Sequence, residues 1–141
     1  MKVVHINKTD AGGGAAVAAL RIHRSLIRAG IDSHILVQEQ KRNEANEHVA
    51  GQGFAYDTGN FWRFVKERLT ILPHEKESGM RYYFSIANTG QNLADNPVVR
   101  DADIIHLHWI NQGFISLDGL EALFNLGKPI VRTLHDMWPF T

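Results

Sequence analysis

VVHINKTDAGGGAAVAALRIHRSLIRAGIDSHILV, residues 3–37, decides the fold. Residues 3–6 are a short, largely β-branched run of the kind that fills a buried strand. Residues 7–14 follow as a polar, glycine-rich loop. Ala16, Ala19, Leu20, His23, Leu26 and Ile27 then recur at helical spacing, with Arg21, Arg24 and Arg28 largely on the other side. Gly30 stands where a helix C′ glycine belongs, and residues 33–37 read as a second strand. Strand, glycine loop, helix and strand make one βαβ unit, whose crossover is right-handed and whose strands are parallel.

The rest of the chain repeats the alternation less evenly. Residues 38–58 are polar and aperiodic, a loop with at most one short strand. Residues 60–72 predict a helix with Phe61, Phe64, Val65, Arg68, Leu69 and Leu72 on one face, Asn60 as its cap and Pro73 as its stop. Residues 73–96 predict a long irregular excursion, with 82–86 extended; loops of that length are usually functional or disordered. Asn96-Pro97 opens a short helix, with proline at the first helical position. Residues 104–107 form a strand, 117–126 a helix stopped by Gly127, and 129–134 a final strand. The expected fold class is α/β: a Rossmann-like, doubly wound, mostly parallel sheet with helices on both faces, as one domain over residues 1–141.

Composition narrows the function. Fifteen Lys and Arg balance fifteen Asp and Glu, which argues against a cationic surface for nucleic acid. There is no cysteine, hence no disulfide and no thiolate metal site. The first residues, MKVVHINKTD, lack the apolar stretch of a signal peptide, and no apolar run nears the roughly 20 residues that span a bilayer. The expected location is cytoplasmic. Phe61, Trp62, Phe64 and Val65 allow peripheral contact with the inner face of the membrane.

Three stretches carry chemistry. In TDAGGGAA (residues 9–16), Gly12, Gly13 and Gly14 lie between a strand and a helix. Glycine lets backbone N–H groups approach an anion, and a helix N-terminus adds partial positive charge. The pattern is neither G-x-G-x-x-G nor a P-loop, and a tight strand-to-helix turn is the alternative. In DIIHLHW (residues 103–109), His106 and His108 share a strand face. They read as metal ligands, or as one packed histidine and one pocket wall; with no third ligand nearby in sequence, no metal is expected. His108 and Trp109 suit a pocket, since an aromatic at a strand tip packs against a sugar or base. In TLHDMWPF (residues 133–140), His135 and Asp136 follow a strand. Ligands of open α/β sheets bind beyond the carboxyl ends of strands at the switch point, where all three stretches converge. His5 and His23 read as structural; His34, His48 and His74 carry no signal.

Residues 1–37, ADIIHLHWINQGFISLDGLEAL (102–123) and GKPIVRTLHDMWPFT (127–141) together resemble the N-terminal half of retaining glycosyltransferases of family 4. The resemblance implies a GT-B enzyme, with two Rossmann-like domains across a cleft. The N-terminal domain would bind the acceptor and the C-terminal domain a nucleotide-sugar donor. It places Gly12, Gly13 and Gly14 against the donor diphosphate and His135 at the transferring sugar as the catalytic residue. His108, Trp109, Asp136 and Trp138 become acceptor or cleft candidates. It implies no metal and no cofactor beyond the nucleotide-sugar co-substrate. The acceptor would be a glycan, a lipid or a small molecule. The C-terminal donor domain would be absent, leaving this chain without turnover and self-associating through an exposed cleft face. The alternatives are a self-contained nucleotide or dinucleotide-binding module, with Glu39 closing the second strand, and a non-catalytic interaction domain. A metal hydrolase using His106, His108, His135 and Asp136 is a minor reading.

Overall fold

The structure, a computed structural model, describes residues 1–74, 85–136 and 138. The β-branched runs become β1 (Lys2–Thr9), β2 (Asp32–Glu39), β3 (Glu47–Val49), β4 (Ile104–Leu107) and β5 (Ile130–Arg132). Among the described residues these make one sheet in the order β3-β2-β1-β4-β5, with every pairing parallel. The chain moves outward from β1 through β2 to β3, then crosses to β4 on the other side. The switch point therefore lies between β1 and β4. The expected α/β, Rossmann-like class is the observed one.

Helix α1 (Gly14–Arg28) buries Ala16, Ala19, Leu20 and His23, the apolar stripe its spacing announced. It ends in a Schellman turn: Gly30, at φ +77°, donates to Ile27 O, and Ile31 donates to Leu26 O, both at 3.0 Å. Ala19 and Leu20 pack on Ile35 and Val37 of β2. The opposite face of the sheet presents Val4, Ile6, Leu36, Ile105 and Leu107. These meet Val99 of α3 (Pro97–Arg100), Phe114, and Leu120 and Leu123 of α4 (Leu117–Phe124). Helices thus cover both faces. Asn96 caps α3 by accepting from Val98 N at 3.0 Å, as its Asn-Pro start predicted.

Helix α2 (Phe54–Ile71) departs from expectation twice. It starts six residues earlier, after Gly53, so Asn60 is an interior residue; its Oδ1 accepts from Arg63 at 2.9 Å and Gln91 at 3.0 Å. Its buried face is also different. Of the expected face, Phe61, Leu69 and Leu72 are 60%, 59% and 45% exposed; Arg68 is buried as expected, but together with Glu67 and Ile71. The Glu67 carboxyl accepts from Ala87 N at 3.1 Å and from Ser85 Oγ, and lies 3.4 Å from Arg68. A buried carboxyl must be satisfied, and these partners, not the apolar count, set the helix's rotation. The extended reading of 82–86 lies outside the described residues for 82–84, and Ser85 and Ile86 are irregular. The final strand is shorter than expected. No helix among the described residues is long and apolar enough to cross a membrane.

Candidate functional site

The carboxyl end of β1 is stitched to the segment that follows β4. Asn7 is buried; its Nδ2 donates to Thr9 O at 2.6 Å and its Oδ1 accepts from Trp109 N at 2.8 Å. Lys8 N donates to Trp109 O at 2.8 Å, and His108 N donates to Ile6 O at 2.9 Å. Ladder-like bonds therefore continue past the end of β4 and hold His108 and Trp109 at the sheet edge. Beyond β1, Asp10 is buried and accepts from the backbone N–H groups of Lys41 (2.7 Å) and Arg42. That anchors the base of the glycine loop.

Gly12 and Gly13 have φ of +78° and +117°, and an added Cβ at either would meet nothing within 4 Å. Glycine is needed there for backbone conformation, not for room. Gly13 is the N-cap of α1, and no side chain caps that helix. With Gly14 in the first turn, the exposed turn presents main-chain donors and the positive helix end.

The residues after β5 close over the same edge. His135 Nε2 lies 3.2 Å from His108 Nδ1, and the two rings stack with centroids 5.5 Å apart. Asp136 Oδ2 accepts from Trp109 Nε1 at 3.2 Å and Asn111 Nδ2 at 3.4 Å, and its Oδ1 accepts from Trp138 N at 3.2 Å. Trp138 Nε1 donates to Ser85 O, and the Arg132 guanidinium lies 4.8 Å from a Trp138 ring centroid. His108, Trp109, His135, Asp136 and Trp138 are thus one connected group, in which Asp136 is the hub. Gly12, Gly13 and Gly14 share the edge by topology.

Burial disfavours the charged form of both imidazoles in this group. Burial pushes the His108 imidazole down to about 2, with His106, His5 and His135 adding to the effect. His135 is also lowered by burial, which the Asp136 charge opposes. A neutral His135 offers one N–H donor and one acceptor lone pair.

Three residues of the edge escape a linear reading. Lys8 donates from Nζ to Gln112 O at 3.0 Å and lies 5.6 Å from the Phe64 and Trp109 ring centroids; burial lowers its pKa. It lines an open cleft of about 720 Å³ together with Gln38, Gln40, Asp57, Asn60 and Phe61. Gly12, Gly13, Gly14 and His135 stand outside that cleft. The expected first strand ends at residue 6 and leaves Lys8 in the loop, His5 reads as structural, and Asn111 carries no signal, whereas the strand runs to Thr9.

Compared with protein families, the chain matches the one described as Glycosyltransferase Family 4 over residues 12–141. No curated protein and no solved structure matches it.

Proposed function

The chain belongs to glycosyltransferase family 4, and from that premise we propose that it is the acceptor-side domain of an enzyme that transfers a sugar from a nucleotide-sugar with retention of configuration. The observation that carries the reading is the meeting of His135 with His108, Trp109 and Asp136 at the switch-point edge, where the glycine loop also opens. Transfer leaves a diphosphate with developing negative charge. The main-chain donors at Gly12, Gly13 and Gly14 and the N-terminus of α1 suit that charge. His135, neutral and held by His108, supplies a fixed hydrogen bond beside the reacting centre without adding net charge. A second Rossmann-like domain holds the donor nucleotide and completes the site, and the 141-residue chain by itself gives no turnover. No cofactor enters this scheme beyond the nucleotide-sugar.

The test is sugar transfer by a protein carrying both domains, as wild type and as His135→Ala. Loss of a preorganised donor of this kind costs on the order of 10²–10³ in kcat, with donor affinity changed far less. Undiminished kcat in His135→Ala would rule out the assigned role.

The cleft beside Lys8 is the proposed acceptor pocket. Its wall residue Phe61 is 60% exposed, and α2 also exposes Trp62 and Phe54 at 65% and 85%. This continuity between a polar cleft and an exposed aromatic face favours an acceptor carried on a lipid over a free sugar.

A further inference from the structure

The parallel register of β1 and β4 sets His5 directly beside His106, on one face of the sheet. His108 joins them: its Nε2 lies 3.2 Å from His5 Nδ1, and its ring centroid is 4.2 Å from that of His106. One ring nitrogen from each of the three lies within 4.8 Å of the others. His5 and His108 are 0% and 2% exposed, and His106 is half-buried. Apolar side chains would fill such a row at lower cost, so three imidazoles there call for an explanation.

We propose that His5, His106 and His108 form a binding site for a divalent transition-metal cation of the zinc type. Neutral imidazoles are the common ligands of such ions. Two nitrogens 3.2 Å apart match two ligands of a tetrahedral ion at about 2.0–2.1 Å. The outer contacts fit as well. His108 engages His135 through Nδ1 at 3.2 Å, and His106 engages Thr133 Oγ1 through Nε2 at 2.8 Å. Ligating imidazoles are held in this way by partners on their other nitrogen. An ion on His108 Nε2 leaves the His108 proton on Nδ1, where it is donated to His135 Nε2. The site would thus fix the tautomer of His135 without touching substrate. Sequence order hid it, because His5 is 103 residues from His108.

A second histidine pair supplies the competing outcome. His34 Nδ1 lies 2.8 Å from His48 Nε2, and His34 Nε2 lies 2.9 Å from Asp32. The experiment is titration of the metal-stripped 141-residue chain with Zn²⁺, read by equilibrium dialysis with elemental analysis and by imidazole ¹⁵N spectra. The expected result is uptake of one equivalent, with ring-nitrogen shifts at His5, His106 and His108. His106→Gln should weaken that uptake about tenfold or more, while His48→Gln leaves it unchanged. Absence of stoichiometric uptake would overturn the proposal. So would ring shifts confined to His34 and His48, with uptake lost in His48→Gln. If His106→Gln does not fold, the wild-type ring shifts alone decide. The outcome is independent of glycosyl transfer, so this site and the transfer reading stand or fall separately.

Discussion

His23 shows how one buried side chain ties elements together and gives the molecule a pH response. Ala45 O, 2.8 Å from His23 Nε2, needs a donor, so the proton sits on Nε2 and Nδ1 accepts from Ser33 Oγ at 2.8 Å. Burial lowers the His23 pKa below its ordinary 6.5, with the Ala45 bond opposing. As pH falls through 6.5, the unfolded chain takes up a proton that the folded chain refuses, so stability declines with acidification. Melting curves between pH 7.5 and 5 should show Tm falling, and falling less steeply in His23→Asn; equal slopes would contradict this. Asp10 permits a second residue-scale test. Asp10→Ala leaves the Lys41 and Arg42 N–H groups without their acceptor and should cost about 1–3 kcal/mol in urea denaturation. At this scale the sequence was partly legible. His135 and Asp136 stood out because they directly follow a strand at the edge where ligands bind. Lys8 did not, because its partner Gln112 is 104 residues away.

At the scale of elements, α4 makes a prediction that helix propensity alone would get wrong. Gly119 lies inside α4, where alanine is ordinarily the better residue by about 1 kcal/mol. A Cβ on Gly119 would come 2.4 Å from Gln91 O, on the segment that pairs with Ile115. Gly119→Ala should therefore destabilise by about 1–3 kcal/mol, as overpacking does; a stabilised variant would show that this contact yields freely. Helix α2 makes the second element-scale prediction. If its exposed Phe54, Phe61 and Trp62 meet lipid, Trp62→Ser should reduce sedimentation of the protein with anionic vesicles several-fold. Equal sedimentation of the two proteins would contradict a lipid-linked acceptor. The βαβ unit was legible in detail because its strand run, Gly30 and helical stripe agree with one another. Helix α2 was misread because apolar counting cannot see that Glu67 finds its partners at Ser85 and Ala87, 18 and 20 residues on.

For the whole molecule, the parallel sheet does what no single motif does. It brings residues from β1, β4 and β5 to one edge although more than 100 positions separate the first from the last. Strand alternation made this topology readable, and with it the convergence of the glycine loop, His108 and His135. The cleft beside Lys8, proposed for the acceptor, was not readable, because much of its lining comes from the polar, aperiodic residues after β2 and from a helix whose start was hidden. The central claim is that the edge formed by Gly12, Gly13, Gly14 and His135 faces the donor. The most direct measurement is a ¹H–¹⁵N amide titration with nucleotide-sugars of a protein carrying both domains, read at the amides of this one. We predict saturable shifts concentrated at Gly12, Gly13, Gly14 and His135. Saturable shifts at residues remote from that edge, or none up to millimolar ligand, would contradict it.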